Sequence, residues 1–295
     1  MSFRSGFVAV VGRPNVGKST LVNALVGAKV SITSNRPQTT RSAVRGILDL
    51  PDAQMVFVDT PGYHKPRTLL GRRLNEVVRR AWAEVDVVLL VVDARAGVGT
   101  GDARVAEDLE AIQAPVLCAV NKIDAARRAG TAAALSAAQK LGPFEEFVPT
   151  SARTGEGVEL LSRLLLERLD EGPMYYPAGT RRDQPPPLFV AELVREKLLK
   201  RTSEELPHSI AVVTEELIER DDGLLEIYVR VLVERESQKG MVIGKGGRLL
   251  KEAGTEARSE IEVLFGRRAY LDLTVRVERD WQRHSHALDR LGFGS

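Results

Sequence analysis

Gly12, Arg13, Pro14, Asn15, Val16, Gly17, Lys18 and Ser19 form the pattern GxxxxGK[ST], with Thr20 next in line. Residues of these types at this spacing suit one kind of chemistry. The glycines let backbone N–H groups close on phosphate oxygens, and a helix beginning here adds partial positive charge. Lys18 would neutralise terminal phosphates, and the Ser19 hydroxyl would ligate Mg2+. The alternative is an ordinary glycine turn ahead of a helix. The apolar run at 7–11 before the pattern and the helical pattern at 20–26 after it favour the phosphate loop.

Three further clusters follow in order. Asp59, Thr60, Pro61 and Gly62 end an apolar run at 55–58, where a carboxylate can reach the Mg2+ shell and the Gly62 N–H a γ-phosphate. Asn121, Lys122, Ile123 and Asp124 end the run 116–120. The Asp124 carboxylate would accept from guanine N1–H and the 2-amino group; adenine offers neither donor, and an unpaired buried carboxylate can discriminate by roughly 10⁴ to 10⁵. This predicts GTP over ATP. Ser151, Ala152 and Arg153, after the run 147–149, would support guanine O6 from the backbone.

In the loop 35–41, Thr39 and Thr40 are candidates for a threonine that joins Mg2+ only when the γ-phosphate is present. Thr40, directly before Arg41, is favoured; a plain surface loop is the other reading. Lys18, Thr40 and Gly62 are thus the expected catalytic groups, and Ser19, Thr40 and Asp59 the expected Mg2+ ligands. Tyr63 occupies the position where Ras-type sites place a water-orienting Gln, so slow intrinsic hydrolysis is expected. Asn15 is either a K+ ligand between the phosphates, by resemblance to translation-factor-related GTPases, or a loop-stabilising side chain.

A second chemistry sits near the C-terminus. Gly244, Lys245, Gly246 and Gly247 form GxxG between Val242, Ile243 and the run Arg248, Leu249, Leu250. Such a loop clamps about four nucleotides because no side chain separates backbone from phosphate. Lys239, Lys245, Arg248 and Lys251 make it locally basic. Val242, Ile243 and Leu249 would floor a base-binding groove or belong to the core.

Loops that meet at one nucleotide must leave the ends of neighbouring strands. The Val-rich runs at 7–11, 55–58, 85–92, 116–120 and 147–149 are continuous rather than alternating, as parallel strands buried on both faces are. They predict an α/β P-loop GTPase domain with a doubly wound, mostly parallel sheet over 1–172, closed by a helix at 160–169. Gly172, Pro173, Pro177, Gly179 and Pro185 to Pro187 mark a linker at 173–187. Beyond it the order helix (188–200), strand (210–218), strand (224–233), two helices around GxxG, strand (270–277) predicts an α+β type II KH domain over 188–295, ending in a helix at 281–291.

Composition narrows the partners little. The chain has 295 residues, a net charge of +2, 43% hydrophobic and 28% charged residues. No apolar run approaches the roughly 20 residues of a membrane span, and the first residues lack a signal-peptide pattern, so a cytoplasmic protein is expected. Cys118, the sole cysteine, excludes an internal disulfide and reads as core. His64, His208, His284 and His286 lack metal-site spacing, Asp93 reads as a turn or cap residue, and Arg72, Arg73, Arg79 and Arg80 as a solvated helix face.

Further residues complete a resemblance. These are Pro37, Gln38, Thr39, Thr40 and Arg41; Arg195, Glu196, Lys197 and Leu198; Glu205, Leu206, Pro207, His208 and Ser209; and Arg290, Leu291, Gly292 and Phe293. With both loop sets, they make the whole chain similar to the Era family of bacterial ribosome-assembly GTPases. The resemblance implies GTP/GDP, Mg2+ and K+ as cofactors. It implies a KH domain on the 3′ end of 16S rRNA and 30S subunit assembly in the GTP state, with release after hydrolysis. Contact with the periphery of the inner membrane is also implied, and a monomer is expected. The alternatives are a related GTPase acting on another RNA or on tRNA modification, and an RNA-binding scaffold with a structural nucleotide.

Overall fold

Strand β1 (Arg4–Val11) sends Val8 and Val10 to one face of a sheet and Ala9 and Val11 to the other, and all four are fully buried. That two-sided burial is why the run is continuously apolar. The structure is a computed structural model that describes residues 3–36, 39–63, 66, 68–202 and 206–291. Pro37, Gln38, His64, Glu205, Gly292 and Phe293 lie outside the described residues, as does the side chain of His208. The chain divides into two units: 1–33, 40–67 and 71–183 form the first, and 184–295 with 34–39 and 68–70 the second.

In the first unit, β1 is followed by α1 (Lys18–Val26), β2 (Val44–Leu50), β3 (Ala53–Asp59), α2 (Leu69–Ala83), β4 (Val87–Asp93), α3 (Thr100–Leu109) and β5 (Val116–Asn121). Then come α4 (Arg128–Ala138), β6 (Glu146–Pro149) and α5 (Val158–Leu166). The sheet order is β2-β3-β1-β4-β5-β6, parallel except for β2. Helices α1 and α5 cover one face through Leu21, Leu25, Leu161 and Leu165. Helices α2, α3 and α4 cover the other through Val78, Trp82, Val105, Leu109 and Ala138, and Cys118 lies in that core. Chain order reverses about β1, so the loops after β1, β3, β4, β5 and β6 gather at one edge, the usual ligand position of such sheets.

Strand β2 is absent from the sequence-based reading. It is an antiparallel edge strand whose buried Val44 and Ile47 are interrupted by Arg45 and Asp49, so it never forms an apolar run. The stretch 173–183, read from composition as linker, is hydrogen-bonded to the first unit. Fully buried Gln54 accepts from the Tyr175 and Tyr176 N–H groups, each at 2.9 Å, and Arg181 O accepts from Ile47 N at 2.9 Å.

The second unit contains α6 (Pro186–Arg201), α7 (Leu206–Ser209), β7 (Ala211–Glu219), β8 (Leu225–Val233), α8 (Glu236–Ile243), α9 (Arg248–Phe265), β9 (Ala269–Val277) and α10 (Ser285–Arg290). Pro186 and Pro187 open α6 rather than end the linker, because first-turn N–H groups have no helical partner to lose. β7 and β8 are antiparallel, β8 and β9 parallel, so α8, the GxxG loop and α9 form the crossover. Buried Glu196 of α6 is neutralised by Lys197 (3.0 Å) and Lys200 (3.3 Å), and Lys197 also reaches Glu260 of α9. The single closing helix expected at 281–291 is corrected to a 3₁₀ turn, Trp281–Arg283, and α10. Extended His284 (φ −102°, ψ 119°) separates them, while the buried Trp281 indole donates to Ser209 O at 3.0 Å.

Candidate functional site

The phosphate loop runs from the end of β1 into α1. Gly17 caps α1 at φ 99°, and a Cβ there would collide with the Asn121 amide, so both conformation and space require glycine. Lys18 is buried and donates to Gly12 O (3.0 Å) and Arg13 O (3.1 Å). Desolvation pushes its ammonium down to about 8, against the opposing pull of Asp59. Val16 belongs to the core, Asn15 is exposed and Thr20 half-buried. The Arg13 side chain turns away to Asp102 of α3 (3.0 Å) and Gly97 O (2.9 Å), so it anchors the loop rather than facing a phosphate.

The Ser19 and Thr40 hydroxyls lie 2.9 Å apart, and Thr40 donates to Asp59 Oδ2 at 3.4 Å. Asp59 is fully buried; its Oδ1 has no hydrogen-bond partner. Burial pushes its carboxyl up, opposed by the Ser19 hydroxyl and the Lys18 charge. A buried carboxylate oxygen without a partner beside two hydroxyls is a hard-oxygen set that fits Mg2+. The described residues hold no cluster of three His, Cys, Asp or Glu side chains that could bind a metal alone, so phosphate oxygens would complete that shell. Gly62 packs against Pro14, and Tyr63 N donates to Gly12 O at 3.3 Å. The Tyr63 hydroxyl accepts from Arg79 at 3.0 Å while its ring lies against Trp82.

On the base side, Asn121 is a buried hub. Its Nδ2 donates to Val16 O and its Oδ1 accepts from Ala152 N, both at 3.0 Å. Lys122 donates to the Asn15 carbonyl and pairs with Asp93 at 2.7 Å. Asp124 accepts from Ser151 Oγ at 2.6 Å and pairs with Arg153 at 2.8 Å. The nucleotide residues predicted from spacing therefore come together at one edge of the sheet. Asp93, Gly97 and Asp102 were missed as their supports, although Asp93 ends a strand flanked by β1 and β5, both of which end in site loops.

In the second unit, Gly244, Gly246 and Gly247 all have positive φ, and nothing lies within 4 Å of a Cβ built at Gly246 or Gly247. The loop is therefore open outward. Beside it runs a groove of about 450 Å³ between α9 (Leu250, Lys251, Gly254, Thr255, Arg258) and β9 (Tyr270, Leu271, Leu273). Val242 is corrected: it is fully buried and packs in the core, so it cannot face a ligand. Lys239, Ile243, Lys245 and Arg248 retain exposure, and Arg248 pairs with Glu252 at 2.7 Å. The β9 wall escaped the motif reading because it lies far along the chain. The signal on α9 was present as Leu250, Gly254 and Arg258, four apart on one helix face.

Comparisons with known proteins agree with this division. Residues 7–122 match the family described as 50S ribosome-binding GTPase, and residues 205–282 the KH domain. GTPase Era of Mycolicibacterium smegmatis is 49% identical over 296 residues, covering 99% of each chain. GTPase Era of Mycobacterium tuberculosis is 50% identical over 297 residues, again 99% of each. A solved structure of Era in complex with MgGDPNP and nucleotides 1506–1542 of 16S ribosomal RNA is similar at a TM-score of 0.95 and 38% identity, over 99% of this chain and 100% of that one. A tyrosine-to-alanine variant of Aquifex aeolicus Era bound to GDP·AlF4− gives 0.93 at 38% identity with the same coverage.

Proposed function

The chain belongs to the Era family of GTPases, and from that premise we propose that it is a switch on the small ribosomal subunit: it hydrolyses GTP in its first unit and holds the 3′ region of 16S rRNA in its KH groove. The observation that carries this reading is the presence, on one chain, of a complete set of guanine-nucleotide loops and an open GxxG loop beside a groove.

In this reading the backbone from Gly12 to Thr20 wraps the phosphates, and Lys18 exchanges its carbonyl partners for phosphate oxygens. Ser19, Thr40 and Asp59 would hold Mg2+, which supplies charge neutralisation at the leaving phosphate. The Asp124 carboxylate would take the guanine edge, kept in place by Ser151, while Arg153, with a side chain 77% exposed, gives way to the base. Asn121 and Ala152 complete that pocket. Thr40 and Gly62 report the γ-phosphate. Tyr63 is held by Arg79 and offers no carboxamide to the attacking water, so hydrolysis is slow until K+ at Asn15 and the bound RNA assist.

RNA would meet the N–H groups of the GxxG loop, the charges of Lys245, Lys251 and Arg258, and the half-exposed ring of Tyr270. The same proposal has the protein work in the cytoplasm as a monomer, with peripheral contact at the inner membrane carried only by the family resemblance. No described helix is long and apolar enough to cross a membrane.

The test is GTP turnover in K+ and in Na+ buffer, with and without an RNA copying nucleotides 1506–1542 of 16S rRNA. Faster turnover in K+, raised further by that RNA and not by a scrambled one or by a 23S fragment, is expected. Equal stimulation by the 23S fragment would move the assignment to the large subunit, and absence of RNA binding would leave only the GTPase.

A further inference from the structure

Among the described residues, three that are not glycine have left-handed φ: Asn15 (65°), Lys122 (67°) and Asp280 (50°). Two of these meet. The Lys122 ammonium donates to the Asn15 carbonyl and lies 2.7 Å from Asp93 Oδ2. Left-handed backbone is unfavourable for a residue with a Cβ and persists where neighbours hold it.

We infer that Asp93 is a positioning residue for nucleotide retention: it aims the Lys122 ammonium at the Asn15 carbonyl and so holds the phosphate loop in its wrapped shape. The inference rests on the nucleotide site proposed above. The carboxylate is arranged in advance, because Oδ1 accepts the N–H groups of Arg95 (2.9 Å) and Ala96 (3.0 Å). Its position follows from the sheet, since the register of β4 and β5 sets Asp93 directly opposite Asn121, next to Lys122. Burial alone would raise the Asp93 pKa, but the Lys122 hydrogen bond and the turn N–H groups outweigh it and leave it below the ordinary carboxylate value.

Capping the turn uses Oδ1 alone; it gives no reason for an anionic Oδ2 toward Lys122. The Lys122 side chain is one-third exposed, so without that charge the ammonium can leave Asn15 for water. The carbonyl next to the wrapped phosphates then loses its tether. The same loop is also tied through Arg13 to Asp102 and through Val16 O to Asn121, so removing Asp93 should loosen it rather than unfold it.

Asp93→Asn separates the two roles, keeping a capping oxygen and replacing the anion by an amide. Asp93→Ser, which also retains a capping oxygen, serves as a second variant if the first is poorly folded. In the full-length chain, release of a fluorescent N-methylanthraniloyl-GDP is measured by stopped flow, and single-turnover cleavage of pre-bound GTP separately. Release should accelerate roughly tenfold or more, as expected for loss of a charge-assisted hydrogen bond, and by a larger factor than cleavage per bound GTP changes. Lys122→Met should accelerate release as well, and adding Asp93→Asn to it should change nothing further. Unchanged release in folded single variants, or a full additional effect on top of Lys122→Met, overturns the inference. Wild-type protein that fails to retain the GDP analogue would instead overturn the nucleotide-site reading.

Discussion

Burial sets the chemistry of Lys18 before any phosphate arrives. Its ammonium is surrounded by protein, with a pKa near 8 rather than 10.5, because desolvation penalises the charged form. The unfolded chain therefore binds more protons than the folded one between about pH 8 and 10.5. The penalty of burying this ammonium is fully present below pH 8 and is relieved as pH rises through that window. Nucleotide phosphates beside Lys18 would reverse the shift. Calorimetry of GDP binding at pH 8.5, in two buffers of different ionisation enthalpy, should show uptake of a substantial fraction of a proton, with none from Lys18 at pH 6.5. No uptake at the higher pH would mean that the buried ammonium already holds its proton.

At the scale of elements, each site is a loop whose shape is imposed by what flanks it. α9 starts at Gly247 in left-handed conformation, and Gly246 before it is left-handed too, so the loop turns tightly with open space on its outer side. Asp tolerates left-handed φ better than most residues, and open space lies around Gly246, so Gly246→Asp should fold. Its carboxylate would face RNA phosphate. Binding of a single-stranded 16S fragment, followed by fluorescence anisotropy, should weaken about tenfold or more. Basal GTP turnover and melting temperature should stay close to wild type. Equal RNA affinity in this variant would remove the loop from the binding surface and leave the α9 and β9 groove to account for it.

At the scale of the molecule, the edge of the first unit is closed by residues 173–183. Gln54 satisfies the backbone of Tyr175 and Tyr176 from a site without solvent. Gln54→Ala should therefore destabilise the first unit by about 1–3 kcal/mol and speed tryptic cleavage after Arg181 and Arg182. An unchanged digestion pattern would show that the segment is held by other contacts. Sequence by itself determined both loop sets, the mostly parallel sheet and the α, β, β, α, α, β order that carries the GxxG loop. Those features rest on spacing along the chain: a phosphate loop needs its glycines and lysine within eight residues, and a strand buried on both faces must be apolar throughout. Tertiary structure alone decided that Arg13 serves Asp102, that Asp93 serves Lys122, that Val242 is core, that β2 pairs at the edge, and that Gln54 finds Tyr175, 121 positions away. In each of these cases the deciding partner comes from a distant segment, and a polar side chain shows in the sequence that it needs a partner without showing which one the fold supplies.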